Sequence, residues 1–277
     1  AVASGGAVEA AFDVGNSTNL RRRFSVLIHE GDFSDLSVCT FTMEPNSPLR
    51  TYRMRTHTTK AWSDLNISVY AADIGNGTGG YYLLDNVSVG PVAQTATNGS
   101  QTQCLDPTAP TGLGTTSSDL VTNGTFTGGL TPWVAYGQIS AAVNAGVLEF
   151  FKLAGTPTGV VFQGTNIGAV NGQWMDLNFQ VGNSSALRQR VTLLLYEGDF
   201  SDLRACTFFI PPGQALNPYA VRASAGKNWS NATVAIYPST VGTSPTAEWL
   251  RVDNVTLRKT TTSGLGTGCV EPGSALN

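Results

Sequence analysis

Charge is scarce in this chain. Asp, Glu, Lys and Arg make up 13% of the 277 residues and leave a net charge of -3, where soluble domains carry about 25% charged residues. So small a net charge sets aside nucleic acid and anionic membranes as partners. Histidine is scarcer still, with only His29 and His57. No HExxH pair, phosphate-cradling glycine loop or Gly-x-Ser-x-Gly elbow occurs. Carboxylates alone could still serve a glycosidase, but nothing singles out a catalytic pair, so no enzyme is expected. No apolar run approaches the roughly 18–20 residues of a membrane span. Ala1-Val2-Ala3-Ser4 has neither the charged nor the apolar region of a signal peptide, which suits a mature form or a fragment. No CxxC spacing exists, which argues against a zinc site.

What the chain does contain is a repeat. Glu30-Gly31-Asp32-Phe33-Ser34-Asp35-Leu36 recurs letter for letter as Glu197-Gly198-Asp199-Phe200-Ser201-Asp202-Leu203. At the same offset of 167, Phe12–Tyr70 matches Phe179–Tyr237 without a gap, with 27 of 59 positions identical. A self-match of this quality means duplicated structural units. Neither His is shared, since Tyr196 and Ser224 stand in the second copy.

The repeat also pairs the cysteines. Cys39 aligns with Cys206, and Cys104 and Cys269 each follow the last strand of their copy. Of the three pairings open to four cysteines, this favours Cys39–Cys104 and Cys206–Cys269. Each bridge would stabilise its unit by roughly 4 kcal/mol in the chain-entropy model. Disulfides persist outside the cytosol, so the protein is expected to be extracellular or on a cell surface. Asn-X-Ser/Thr triplets point the same way. They occur at Asn16, Asn66, Asn76, Asn86, Asn98, Asn123, Asn183, Asn228, Asn231 and Asn254. Asn86 and Asn254 fall inside apparent strands; the other eight are the candidate glycosylation sites. A Thr/Ser/Asn-rich protein that is never glycosylated is the other reading.

Strand signals follow one another along the chain. Arg23–His29, Val38–Met43, Tyr52–Thr56, Leu65–Tyr70 and Tyr82–Val89 are β-branched, aromatic or alternating. Residues 91–118 are rich in Thr, Ser, Gly and Pro and read as a linker pinned by Cys104. The second unit adds Leu120–Phe126, a Trp133 segment, Val147–Lys152 and Val160–Gln163 before repeating the first pattern through Trp249–Leu257. Short strands with turn signals every 8–14 residues and no helical stretch indicate an all-β fold of two antiparallel sandwiches. The expected division is a truncated repeat at 1–90, the linker at 91–118, a complete repeat at 119–272 and a tail at 273–277. Leu120–Ile167 has no counterpart in the first copy, which therefore lacks its N-terminal strands.

Asn123-Gly124-Thr125-Phe126, the following Trp133 and the last strands Val252-Asp253-Asn254-Val255-Thr256-Leu257 and Asp85-Asn86-Val87-Ser88-Val89 resemble the galactose-binding-like jelly roll of many carbohydrate-binding modules. The resemblance covers all of unit two and about two-thirds of unit one. It implies a structural calcium near Asp253, Asn123 and Thr125, and no other cofactor. It also directs attention to aromatics that could stack on glycans: Trp133, Tyr136, Trp174 and Trp249. Burial between the sheets is the competing role for each. Trp62 and Trp229, shared by both copies, are expected to pack in the core or at its rim.

The repeated acidic phrase admits two readings. Glu30, Asp32 and Asp35 could gather around calcium. Alternatively, the phrase is a strand–turn–strand connection in which the aspartates cap backbone amides and Phe33 and Leu36 anchor the loop in the core. The incomplete first unit admits three: a cut repeat array, a shortened sandwich leaning on unit two, or a sandwich completed by a neighbouring subunit. The combination favours a non-enzymatic structural or adhesive protein that self-associates, as a filament or surface-assembly subunit. A carbohydrate-binding array is the alternative.

Overall fold

The computed structural model describes residues 1–73, 81–93, 102–108, 114–115, 117–152, 159–186, 189–239, 249–261 and 267–270. The sequons at Asn76 and Asn98 and the 273–277 tail lie outside them. Every described element is a strand, and every pairing is antiparallel. Among the described residues no helix is long and apolar enough to cross a membrane.

The first unit holds β1 (Ala7–Asn16), β2 (Arg22–Glu30), β3 (Leu36–Met43), β4 (Ser47–His57), β5 (Leu65–Asp73), β6 (Tyr82–Pro91) and β7 (Gln103–Leu105). They form two sheets, ordered β6-β1-β4-β7 and β3-β2-β5. Period-two alternation sends Val8, Ala10, Phe12 and Val14 of β1 inward, against Phe24, Val26 and Ile28 of β2 and Phe41 of β3. Phe12 stacks on Tyr52 with ring centroids 6.3 Å apart.

The second unit holds β8 (Gly114–Thr115), β9 (Val134–Gly137), β10 (Ile139–Asn144), β11 (Val147–Lys152), β12 (Gly159–Gly164), β13 (Trp174–Asn183), β14 (Gln189–Glu197), β15 (Leu203–Ile210), β16 (Asn217–Ser224), β17 (Ala232–Ser239), β18 (Leu250–Thr261) and β19 (Thr267–Val270). One sheet runs β10-β11-β18-β13-β16-β19 with β8 beside β18, the other β15-β14-β17-β12-β9. Strands β13 to β19 repeat β1 to β7 in order and neighbours. The extra strands β9 to β12 sit at one end only, with β11 on β18 and β12 on β17.

Two expectations need correction. Leu120–Phe126 is not a strand. It is a run of turns held by Leu120 N–H on Leu257 O (2.8 Å) and by Val255 N–H on Gly124 O (2.9 Å). Gly124 has no room for a side chain, because a Cβ there would lie 1.8 Å from Val255 O. The stretch read as a linker contributes β7 and β8 to the sheets.

Both disulfides form as the repeat indicated, Cys39–Cys104 and Cys206–Cys269. They tie β3 to β7 and β15 to β19, the strands at which the two units meet. Cys104 Sγ and Cys269 Sγ lie 3.6 Å apart across that seam. Arg190 donates to Asp35, and Arg23 Nη1 lies 3.9 Å from Asp202. Arg190 is the repeat partner of Arg23 and Asp202 that of Asp35, so the seam has a local two-fold. Val38 N–H also donates to Thr207 Oγ1 at 3.3 Å.

Candidate functional site at the open end of the first unit

The acidic phrase is a turn, twice over. Glu30 N–H donates to Asp35 O and Phe33 N–H to Glu30 O, both at 2.9 Å, which closes the loop between β2 and β3. The three carboxylates then diverge. Glu30 accepts from Ser63 N–H, Ser63 Oγ–H and Asp64 N–H at 3.0–3.1 Å. Asp32 accepts from Ser34 N–H and Oγ–H. Asp35 accepts from Thr59 N–H and Trp62 Nε1–H, each at 2.8 Å, besides Arg190. Glu197, Asp199 and Asp202 repeat these bonds with Ser230, Asn231, Ser201, Gly226 and Trp229. Asp32 therefore braces its own turn while Glu30 and Asp35 both hold the β4–β5 connection, each through different donors, and the capping reading holds.

The anchoring part of that reading fails at Phe33, whereas Leu36 is partly buried. Phe33 is 48% exposed and sits at φ 58°, with its ring stacked on His29 at 3.9 Å. Phe200 stacks on Tyr196 at 4.2 Å in the same way. The left-handed backbone turns the ring outward over the preceding strand rather than into the core. The residue that does enter the core is the shared Trp62 or Trp229, with its indole N–H on the second aspartate.

Two sequon asparagines are corrected as well. Asn16 and Asn183 are fully buried. Asn16 Nδ2 donates to Leu20 O (2.6 Å) and Glu44 O (2.9 Å), and its Oδ1 accepts from Thr18 N–H and Oγ1–H. Asn183 repeats the arrangement with Ile210 O, Pro211 O and Ser185. Asn66, Asn123 and Asn231 are partly exposed and Asn228 exposed.

The aromatics proposed as a sugar platform do not assemble into one. Trp133 and Trp174 are buried in unit two; Trp133 packs on Phe126 at 5.5 Å and donates to Asn123 O. Trp249 is half-buried, edge-on to Phe151 at 4.5 Å. Tyr136 alone is well exposed, on the edge strand β9. The residues suggested for calcium are engaged locally. Asn123 Nδ2 donates to Gly129 O and Thr131 O, and its Oδ1 accepts from Gly128 N–H. Thr125 Oγ1 lies 3.4 Å from Thr127 Oγ1, and Asp253 accepts from Asn254 N–H at 2.7 Å. Among the described residues no three His, Cys, Asp or Glu side chains come together as a group that could hold a metal ion.

The feature that sets the units apart is the end of the first sandwich. In unit two, β11 pairs at Val252, the 120–126 turns meet β18 at Val255 and β12 pairs at Ile236, and these core-facing residues are 1%, 1% and 0% exposed. Their counterparts Leu84, Val87 and Val69 are 45%, 46% and 39% exposed. Strands β5 and β6 are each the last strand of their sheet. Tyr70, Tyr81 and Leu83 stand out of the same end. Asp85 is the sole charged side chain described as exposed on these two strands. Inward-facing apolar side chains left half exposed, two adjacent strand edges and almost no charge define the open end of the first sandwich.

No protein-family model matches this sequence, and no curated protein sequence does. Solved structures supply partial likenesses. The chain is similar to the N-terminal CBM22-1-CBM22-2 tandem domain of Paenibacillus barcinonensis Xyn10C, at 14% identity and TM-score 0.39, over 93% of this chain and 80% of that one. A structure described as "CBM4 structure and function" aligns at 14% identity and TM-score 0.41, over 50% of this chain and 99% of that one. The enzymatically active domain of bacteriophage CBA120 tailspike protein 4 aligns at 13% identity and TM-score 0.39, over 51% of this chain. The matched region spans only 21% of that tailspike chain.

Proposed function

We propose that this chain is a non-enzymatic structural or adhesive module of the extracellular space, a subunit of a filament or surface assembly. In that assembly a neighbouring subunit covers or completes the first sandwich. One contrast carries the reading: Val69, Leu84 and Val87 are roughly half exposed, whereas Ile236, Val252 and Val255 at the same positions of unit two are buried. Exposed edges of this kind template further strand pairing. The two disulfides support a location outside the cytosol. Electron microscopy and intact mass of the protein in the extracellular fraction test the reading. Ordered assemblies in which Val69 and Leu84 are shielded from surface labelling support it. Monomers with both residues accessible to the label overturn it.

A second reading, glycan binding, rests on Tyr136, a residue 65% exposed on the outer edge of unit two and free to stack on a sugar face. Affinity electrophoresis in gels containing soluble polysaccharides decides it. Retardation that disappears in Tyr136→Ala supports glycan binding; unretarded migration in every gel rejects it.

A further inference from the structure

This inference rests on the reading that a neighbour completes the first unit, and it names what the neighbour inserts. Unit two displays its own solution at the equivalent place. There β12 lies on β17, with Val161 opposite Ile236, Phe162 opposite Ala235 and Gln163 opposite Val234. On the other sheet β11 lies on β18, with Leu148 opposite Val252, Glu149 opposite Arg251 and Phe150 opposite Leu250. Leu148, Phe150 and Val161 are fully buried there and close the end of the core. In unit one the corresponding positions are Val69, Ser68 and Ile67 on β5, and Leu84, Leu83 and Tyr82 on β6. The receiving pattern is therefore retained, core-facing side chains included, while the strands that fill it are missing from this unit.

We propose that the open end of the first unit is a docking site for a two-stranded polypeptide segment of the β11–β12 kind, donated by another polypeptide. One strand adds along Asn66–Val69 of β5 and the other along Tyr82–Leu84 of β6. An intact second copy cannot donate these strands, because its own β11 and β12 are held in its second unit. The register fixes the donor's chemistry. Residues opposite Val69 and Leu84 are apolar and enter the core, as Val161 and Leu148 do in unit two. Where Arg251 faces Glu149 in unit two, unit one has Leu83, so the donor carries an apolar residue there in place of an acid. Strand addition on β6 stops near Asp85. Asn86 is left-handed at φ 51° and the β1–β6 register shifts between Ala11 and Asp13. The same break sits at Asn254 in β18, and β11 pairs only ahead of it.

The test uses the whole chain and a synthetic peptide of its residues 145–166, unmodified or carrying Glu149→Leu. Amide hydrogen exchange at 66–69 and 82–84 is expected to slow on adding peptide, and more with Glu149→Leu than without. Leu84→Lys should weaken peptide binding at least tenfold. Val170→Lys, at a residue 65% exposed on unit two, should leave it unchanged. Circular dichroism and the β1 exchange pattern establish that both variants are folded. Unchanged exchange at the named amides overturns the inference. So does a peptide-free dimer in which those amides are already protected, although that outcome keeps the broader reading that a neighbour covers unit one. A chain that neither binds peptide nor assembles in its native setting overturns both.

Discussion

Asp35 of the first unit and Arg190 of the second form a buried ion pair across the seam, and the repeat relation turns this pair into Asp202 and Arg23. The two ends of the pair are not equivalent. Burial lowers the pKa of the Arg190 guanidinium and the nearby Asp35 charge opposes that. Asp35 also accepts from Thr59 N–H and Trp62 Nε1–H. Asp35→Ala removes the acceptor for all three donors and leaves a buried cation without this carboxylate. It should lower stability by about 3–5 kcal/mol. Arg190→Met leaves Asp35 with two donors and replaces the guanidinium by an apolar chain of similar length, so it should cost less. Urea midpoints of the two variants check the order; a larger loss in Arg190→Met contradicts it.

The disulfides should contribute equally and separately. They close loops of similar sequence separation, 65 and 63 residues, which in the chain-entropy model correspond to about 4 kcal/mol each. Paired Cys→Ser replacement of either bridge should therefore lower the urea midpoint by a similar amount. Peptide mapping should find the remaining bridge native in each variant, despite the 3.6 Å approach of Cys104 Sγ to Cys269 Sγ. A Cys104–Cys269 crosslink in the native protein contradicts the assignment.

The duplication made most of the fold readable. Period-two runs rich in Val, Ile, Phe and Tyr located β2 to β6 and β14 to β18, and the repeat alone chose the disulfide pairing. Strand β1 was harder to see, because Ala7, Ala10 and Ala11 carry little β signal and only Val8, Phe12 and Val14 mark its inner face. Strands β7 and β8 hide in a Thr/Gly-rich stretch because two or three residues show no period. Aromatic type alone misplaced the sugar platform. Burial depends on which strands close over a ring, and in unit two Trp133 and Trp174 are covered. The open end was legible as a gap in the alignment. That the gap leaves β5 and β6 side by side at one end required the topology.

The Asn-X-Ser/Thr excess has a structural cause at Asn16 and Asn183. In both, the amide oxygen accepts the N–H and the hydroxyl of the residue two places on, while the amide nitrogen ties down two carbonyls, Leu20 O and Glu44 O for Asn16 and Ile210 O and Pro211 O for Asn183. The third position must then be Ser or Thr for turn geometry. Asn16→Ala leaves those carbonyls and the Thr18 amide without this partner, and should lower stability by roughly 2–4 kcal/mol. Site mapping after expression in a glycosylating secretory host should find Asn16 and Asn183 unmodified, and any glycans at exposed triplets such as Asn228. A glycan on Asn16 of folded protein contradicts the turn assignment.

Asp106 gives the seam region a pH dependence of defined sign. It is nearly buried beside β7; its Oδ1 accepts from Thr108 N–H (2.8 Å) and Oγ1–H (2.6 Å), while Oδ2 has no hydrogen-bond partner. Burial pushes its pKa up to about 6, against the opposing Thr108 bonds and the Arg204 and Arg50 charges. The folded state therefore holds this proton more tightly than the unfolded chain, whose carboxyl titrates near the ordinary value of 3.8. Ionised Asp106 destabilises the fold at neutral pH, and that penalty is relieved as pH falls from about 6 towards 4. Asp202 works in the opposite direction. Burial alone would raise its pKa, but Arg204, Trp229 and Gly226 outweigh burial and lower it, so its contribution is lost only on stronger acidification. Asp106→Asn retains an oxygen for Thr108 and removes the charge. It should raise Tm at pH 7 and flatten the stability profile between about pH 4 and 6. Thermal melts across that range check both effects. A variant that is no more stable at pH 7 and keeps the wild-type slope would show that another group titrates in this window.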